Sequence, residues 1–375
     1  MRPLKALLAA AASALVLSSS ALAGPPPVQA GAYVVENGAT GEILASRNLD
    51  GRRAIASITK LMTVLVTLQH AKLDDVVTVP DEVTSIGEST IYLREGERIS
   101  VRDLIEAALI PSANDAADTL AYFVGHGSQE RFVAMMNAEA RRLHLRDTHF
   151  VRPDGLDAPG HVSSARDVTA LARILMRRAV VRAIVRRTSA TIEGPRTVYT
   201  RNTLLYSYSG LFGVKTGHTD LAGWSEVAAA RRHGVTVYAT ILGSPSEEQR
   251  NADLVSLLTW GLSQYRQVTL VGAGGAYARA PTGFGRGSVD LVAARGLVRP
   301  VRVGRPLVEK VIAPRALDLP VRKGQAVGQV RIYAGGRLMG ARPLVTARSV
   351  SAPGFAGEAG WYIGRTFSNL FGWAT

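Results

Sequence analysis

The sequence predicts a mixed α/β domain followed by a small all-β domain, on three observations. A strand pair near the start, Gly31 to Glu36 and Glu42 to Ser46, is matched late in the chain by a second pair, Gly223 to Ala229 and Gly234 to Leu242, and then a long helix. The first and last parts of this domain are therefore expected to share one sheet. Between them, Leu61 to Leu68 is too apolar for a surface helix, and a helix hydrophobic all round is a buried one. Beyond Tyr265 helical periodicity disappears, and short Val-rich pieces separated by Gly and Pro indicate a second, β-rich domain to about Arg348. A chain of 375 residues has room for both.

The elements follow in order. Met1 to Lys5 is basic, Ala6 to Leu17 is apolar, and Ala21-Leu22-Ala23 is a small-residue cleavage pattern, so residues 1–23 read as a secretory signal peptide. Cleavage after Ala30 is the alternative. Gly24-Pro25-Pro26-Pro27 is a stiff leader. Asn37 to Gly41 turns the first hairpin. Ser57 to Lys60 opens the buried helix. Val76 to Ile99 is short-stranded and loop-like. Val101 to Leu109 is a helix stopped by Pro111, and Asp115 to Val124 is another. Gln129 to Leu143 is amphipathic, with Phe132, Met136, Ala140 and Leu143 on one face. Ser163-Ser164 caps a helix from Ala165 to Arg178. Thr188 to Tyr208 reads as extended structure with turns. Ser246 to Gln249 is a capping box for a helix to about Tyr265, which closes a first domain of residues 24–265. The β-rich domain covers 266–348. Ser349 to Glu358 is a linker, and Trp361 to Trp373 a helix with Ile363, Phe367, Leu370 and Phe371 at helical spacing. The last segment, 349–375, suits a linker and an amphipathic helix lying at a membrane surface; a helix docked on its own domain is the alternative.

Composition narrows the chemistry. The absence of cysteine removes thiol catalysis, cysteine–zinc sites and disulfides. Of 44 basic residues only six are lysine: Lys5, Lys60, Lys72, Lys215, Lys310 and Lys323. Arginine cannot be deprotonated in a protein and lysine can, so a lysine kept at position 60 points to an amine that loses its proton. Ser57 lies one helical turn before it, in the predicted first turn, where the two side chains share a face. A hydroxyl beside an uncharged buried amine is an activated nucleophile, and free N–H groups at a helix start suit a developing oxyanion. Burial and Lys215 nearby are expected to lower the proton affinity of Lys60. Most of the net charge of +14 sits between Gln264 and Arg348. With an export signal in front, acidic wall polymers or anionic headgroups are the expected partners and nucleic acid is not.

Two further motifs complete a set: Ser112-Ala113-Asn114 at a helix–helix turn, and Lys215-Thr216-Gly217 followed by His218. Ser-x-x-Lys, Ser-x-Asn and Lys-Thr-Gly in this order are the signature of penicillin-recognising serine enzymes. With Ala32 to Val35, Thr40 to Leu44, Gly155-Leu156-Asp157, Ser163 to Asp167, Gly213 to Thr219 and, in the tail, Val321 to Gly328 with Arg342 to Val345, the chain resembles the low-molecular-weight penicillin-binding proteins that are D-alanyl-D-alanine carboxypeptidases.

That resemblance implies a transpeptidase/β-lactamase-like α/β (α+β) catalytic domain, an antiparallel sheet with a helical lobe, plus a small all-β C-terminal domain. It implies that Ser57 is acylated, Lys60 is its base and Ser112 relays protons. Asn114 holds the peptide carbonyl, Lys215 keeps the field positive, and Thr216 takes the terminal carboxylate with Arg201 near it. The N–H groups of Ser57 and His218 form the oxyanion hole, beside Gly217. Peptidoglycan stem peptides are the implied substrates, β-lactams the inhibitors, and the outer face of the cytoplasmic membrane the location. No cofactor or metal is expected. A β-lactamase would need a deacylating carboxylate, and no Glu-x-x-Leu-Asn follows Asn114. The same motifs would also serve a D,D-endopeptidase, and the basic tail would serve a non-catalytic wall-binding protein.

Overall fold

The computed structural model describes residues 8–15, 24–194 and 196–371, with side chains for 24–194 and 196–363. The chain divides into two compact units, one from Ala23 to Ser263 and one formed by Gln264 to Thr375 together with the N-terminal residues up to Leu22. Within the leader, Leu8–Leu15 is a strand (β1) antiparallel to Leu307–Pro314; the cleavage pattern at Ala21 to Ala23 lies outside the described residues.

The catalytic unit opens with the predicted hairpin, β2 (Ala32–Asn37) and β3 (Ile43–Arg47). A buried helix, α1 (Lys60–His70), follows, and its run from Leu61 to Val66 is almost without solvent exposure. Two three-residue strands, β4 (Val76–Thr78) and β5 (Arg98–Ser100), pair with each other. The helices α2 (Val101–Leu109), α3 (Asn114–Val124) and α4 (Gln129–Arg142) pack around α1 through Leu104, Leu120, Phe132 and Met136. Ser100 and Ser128 accept hydrogen bonds from the backbone N–H groups of Asp103 and Arg131, so each caps its helix.

The helix expected from Ala165 to Arg178 ends sooner, as α5 (Ala165–Leu175); residues 176–178 turn, and a short α6 (Ala179–Val185) begins just past the expected end. The extended stretch contains the hairpin β6 (Ser189–Ile192) and β7 (Arg196–Tyr199), then one helical turn, α7 (Leu204–Ser207). Three long strands follow: β8 (Leu211–Thr219), β9 (Gly223–Arg232) and β10 (Val235–Ser244). The unit closes with α8 (Glu247–Ser263).

The main sheet runs β3-β2-β10-β9-β8 and is antiparallel throughout. Strand β10 pairs with β2, Ala239 opposite Val35, so the two ends of the unit share one sheet as the strand pattern implied. Strand β8 is an addition to that expectation. Gly213 and Gly217 give it poor strand propensity, which hides it in the sequence, yet it forms one edge of the sheet and carries Lys215-Thr216-Gly217.

The second unit is all-β apart from a 3₁₀ turn at Gly283–Gly285 and a helix at its end. Its strands are β11 (Tyr265–Val271), β12 (Ala276–Pro281), β13 (Ser288–Ala293), β14 (Leu297–Arg302), β15 (Leu307–Pro314), β16 (Ala326–Ala334) and β17 (Arg337–Thr346). One sheet is ordered β1-β15-β16-β17-β13-β12 and a second pairs β11 with β14. Val289, Leu291, Leu297, Val330 and Leu344 form its own core. The terminal helix α9 (Phe355–Phe371) starts before the predicted Trp361. The last residues of the expected linker, Phe355 to Glu358, include the good helix formers Ala356 and Glu358 and join the helix. Trp361 and Tyr362 pack edge-on against Phe284 of the same unit, at ring distances of 5.4 and 6.1 Å. The side chains from Phe367 onward and residue Trp373 lie outside what is described. Among the described residues no helix is long and apolar enough to cross a membrane.

Candidate active site

Ser57 lies in a 3₁₀ turn, Ala56–Thr59, just ahead of α1, rather than in the first turn of the α-helix itself. The tighter turn keeps the one-turn relation to Lys60, the first residue of α1, and Lys60 Nζ stands 2.8 Å from Ser57 Oγ. Gly155 and Gly217 allow this turn to be packed from both sides. A Cβ on Gly217 would lie 2.9 Å from the Ile55 carbonyl oxygen and 3.1 Å from the Ser57 nitrogen, and one on Gly155 would lie 2.1 Å from the Ala56 oxygen. Close approach of β8 to the Ser57 N–H therefore requires glycine at position 217.

Lys60 is fully buried. Its amine contacts three oxygens: Ser57 Oγ, Asn114 Oδ1 at 2.7 Å and the Asp154 carbonyl at 2.7 Å. The last two are acceptors only. An uncharged amine has two hydrogens for those two acceptors and a lone pair for the Ser57 hydroxyl. Burial lowers the proton affinity of Lys60 to a pKa of about 8, against the opposing pull of Asp154, Asp118, Asp115 and Glu88. Lys60 in turn depresses the proton affinity of Lys215, as two neighbouring amines do to one another.

Lys215 is also buried. It donates to Ser112 Oγ at 2.7 Å and to the Thr216 carbonyl at 2.9 Å. Burial first, then Lys60, Arg201 and Arg250, push its pKa well below the ordinary lysine value. Arg201 and Arg250 add positive charge to the site beside it. Ser112 sits between α2 and α3 at a φ of 71°, a left-handed conformation that turns its hydroxyl to Lys215. Asn114 opens α3. Its Nδ2 donates to the Gly87 carbonyl at 3.1 Å, which leaves a second N–H hydrogen for a ligand.

A cavity of about 430 Å³ is lined by Ser57, Ser112, Asn114, Arg201, Thr216, Gly217 and His218, with the two lysines behind Ser57 and Ser112. Every residue singled out from the sequence is thus brought to one place. Arg201 is exposed at its rim, and its backbone N–H is tied to the Ile110 carbonyl at 3.2 Å. His218 stacks on Trp224, with ring centroids 4.1 Å apart.

Sequence reasoning missed Arg250. It lines the cavity from α8, almost wholly buried, with Nε 3.3 Å from Glu226 Oε2 and a further ion pair to Glu247 at 3.0 Å. Burial raises Glu226 to a pKa of about 7 against the pull of Arg250, and Asn202 donates to its other oxygen at 2.7 Å. The signal was present: Arg250 falls on the apolar face of α8 at helical spacing from Leu254, Leu257 and Leu258. His161 was also missed. Val151 N–H donates to its Nδ1 at 3.1 Å, so Nε2 carries the hydrogen and meets Thr59 Oγ1 at 2.7 Å. Burial holds this imidazole neutral, with a pKa of about 4. Among the described residues no cluster of His, Asp and Glu is arranged to hold a metal.

Comparison with known proteins agrees with this geometry. Residues 19–246 match the family model described as D-alanyl-D-alanine carboxypeptidase, and residues 265–352 the model described as penicillin-binding protein 5, C-terminal domain. The chain is 32% identical over 371 residues to the D-alanyl-D-alanine carboxypeptidase DacA of Escherichia coli, covering 93% of this chain and 90% of that protein. Among solved structures, penicillin-binding protein 5 of Haemophilus influenzae is 27% identical, with a TM-score of 0.63 over 88% of this chain and 99% of its own. The Streptomyces K15 DD-transpeptidase is 34% identical, with a TM-score of 0.61 over 64% of this chain and 99% of its own.

Proposed function

Since this chain belongs to the D-alanyl-D-alanine carboxypeptidase family, we propose that Ser57 releases the terminal D-alanine of peptidoglycan stem peptides through an acyl-enzyme and is acylated by penicillin in the same way. The observation that carries this reading is the buried amine of Lys60, 2.8 Å from Ser57 Oγ, whose pKa burial lowers to about 8. Ser57 Oγ attacks the carbonyl of the penultimate D-alanine while its proton passes to Lys60 Nζ. The oxyanion forms between the N–H groups of Ser57 and His218. The C–N bond then breaks, and a proton from Lys60, relayed through Ser112, leaves with the amine of D-alanine. Water resolves the ester by the reverse proton path. Arg201, Arg250 and Thr216 hold the terminal carboxylate, and the second Nδ2 hydrogen of Asn114 holds the peptide carbonyl.

Export by the N-terminal signal, and contact of α9 with the outer surface of the cytoplasmic membrane, complete the proposal. Exposed Phe355, Tyr362 and Ile363 support a surface-lying helix. The test is D-alanine release from a pentapeptide ending in D-Ala-D-Ala, with Ser57→Ala as control, and the intact mass after benzylpenicillin. A penicilloyl adduct on Ser57 and D-alanine release by the wild type alone are expected. An unmodified mass on folded protein refutes the acyl-enzyme, and rapid penicillin turnover points to a β-lactamase instead.

A further inference from the structure

Below Lys60 lies a carboxyl pair that the acylation chemistry does not use directly. Asp118 on α3 is completely buried. Its Oδ1 accepts from Gln129 Nε2 at 2.9 Å, and no donor among the described residues reaches its buried Oδ2. Besides Gln129, the side chain within hydrogen-bonding range of Asp118 is another carboxyl, that of Asp154. Asp154 is fully supplied as an anion: Arg152 donates to both its oxygens, at 2.7 and 2.6 Å, and the Leu156 N–H adds a third bond at 3.0 Å. Two carboxyl groups in contact away from water cannot both ionise, and a proton between them satisfies the oxygen that has no donor.

We propose that Asp118 and Asp154 share one proton, with Asp118 the acid and Asp154 the anion, and that Asp118 is a positioning residue that keeps the surroundings of Lys60 neutral. The inference rests on the reading of Lys60 as the base. Lys60 reaches the pair from α1, Asp154 and Arg152 from the loop before Gly155, and Gln129 from α4; Asp115 shares α3 with Asp118. Arg152 offsets Asp154. An ionised Asp118 would leave an unmatched negative charge beside Lys60, and that charge would hold a proton on the amine. Burial and the Asp154 carboxylate push Asp118 in the required direction, to a pKa of about 8. The pair also fixes the loop whose Asp154 carbonyl accepts from Lys60.

The experiment compares wild type, Asp118→Asn and Asp154→Asn. Infrared spectra of protein with ¹³C-labelled aspartate read the pair directly, whatever Lys60 does. A protonated-carboxyl C=O band is expected in the wild type at neutral pH and is lost in Asp118→Asn. Its absence from the wild type overturns the proposal, even if the variants fail to fold. The rate of benzylpenicillin acylation against pH gives the second readout. Asn is a neutral analogue of the acid, so Asp118→Asn should leave the acidic limb within about half a pH unit of the wild type rather than about one unit or more below it; in Asp154→Asn the proton is no longer shared, Asp118 ionises in its place, and the infrared band is lost there too. A downward shift of that size in Asp118→Asn would mean that Asp118 is ionised, and the proposal falls. If the wild type is not acylated at all, the reading of Lys60 fails while the infrared band still reports on the pair.

Discussion

Lys60 and Lys215 are two of six lysines in the chain, both fully buried and both depleted of proton affinity, yet their surroundings are opposite. Lys60 looks onto acids: burial lowers its pKa to about 8 while Asp154, Asp115 and Glu88 pull it up. Lys215 looks onto cations: Lys60, Arg201 and Arg250 add to burial, with Glu226 alone opposing. The first arrangement gives an amine that takes and returns a proton near neutral pH, as a general base must. The second gives an amine that mainly donates, to Ser112 Oγ and the Thr216 carbonyl. Burial alone therefore does not make a base; the sign of the charge around the buried amine decides its work.

One substitution made at both positions breaks or sustains that contrast. Lys60→Arg keeps the charge and abolishes deprotonation, so acylation by benzylpenicillin should fall about 10³-fold, within the range for a lost general base. Lys215→Arg keeps a donor and a cation, so a loss of about tenfold is expected, mostly from crowding. Stopped-flow acylation rates measure both. Equal losses at the two sites would erase the distinction.

The next effect tests the cationic surroundings of Lys215. Arg250→Leu leaves Glu226 buried without its partner, which destabilises by about 3–5 kcal/mol. Glu226 takes up a proton below its pKa of about 7. The loss should therefore be smaller at acidic pH, and Glu226→Gln in the same chain should recover part of it. Denaturant melts of the single and double variants on either side of pH 7 check the sign.

Gly217→Ala addresses the approach of β8 to the Ser57 turn. The added Cβ meets the backbone of Ile55 and Ser57, which has no flexible end to move aside. The strand must shift, carrying the His218 N–H away from the Ser57 N–H. A displacement of about 1 Å at a reacting centre costs on the order of 10²-fold. That loss should appear in kcat/KM for D-alanine release with the thermal midpoint changed far less.

Much of this site was legible in the sequence because its chemistry is carried by short motifs. Ser57 and Lys60 are one turn apart, and a spacing of three residues puts them in contact in a 3₁₀ turn as well as in an α-helix. Ser112 with Asn114, and Lys215 with Thr216, were likewise readable as units. The shared sheet followed from two strand pairs with alternating patterns. Three features were hidden. Strand β8 is interrupted by glycines that serve the active site rather than the sheet. Arg250 and Glu226 lie on separate elements, α8 and β9, and only folding makes them partners. Asp118 and Asp154 are distant in sequence, and nothing about either residue alone announces a shared proton.

The smallest effect separates the two lysines through stability. For each, the unfolded chain holds its proton up to the ordinary lysine pKa of 10.5, while the folded state releases it earlier. Between the folded and unfolded values the unfolded state binds more protons, so stability rises with pH. For Lys60 that window runs from about 8 to 10.5. Lys215, pushed well below 10.5 in the fold, adds its own rise over the interval beneath that value. Lys60→Met should flatten the curve above pH 8 only. Lys215→Met should remove its own rise and, by taking a cation from beside Lys60, move the remaining rise to higher pH. Chemical denaturation across the alkaline range measures both curves, and superimposable curves for the two variants would show that the acidic and cationic surroundings do not distinguish the amines.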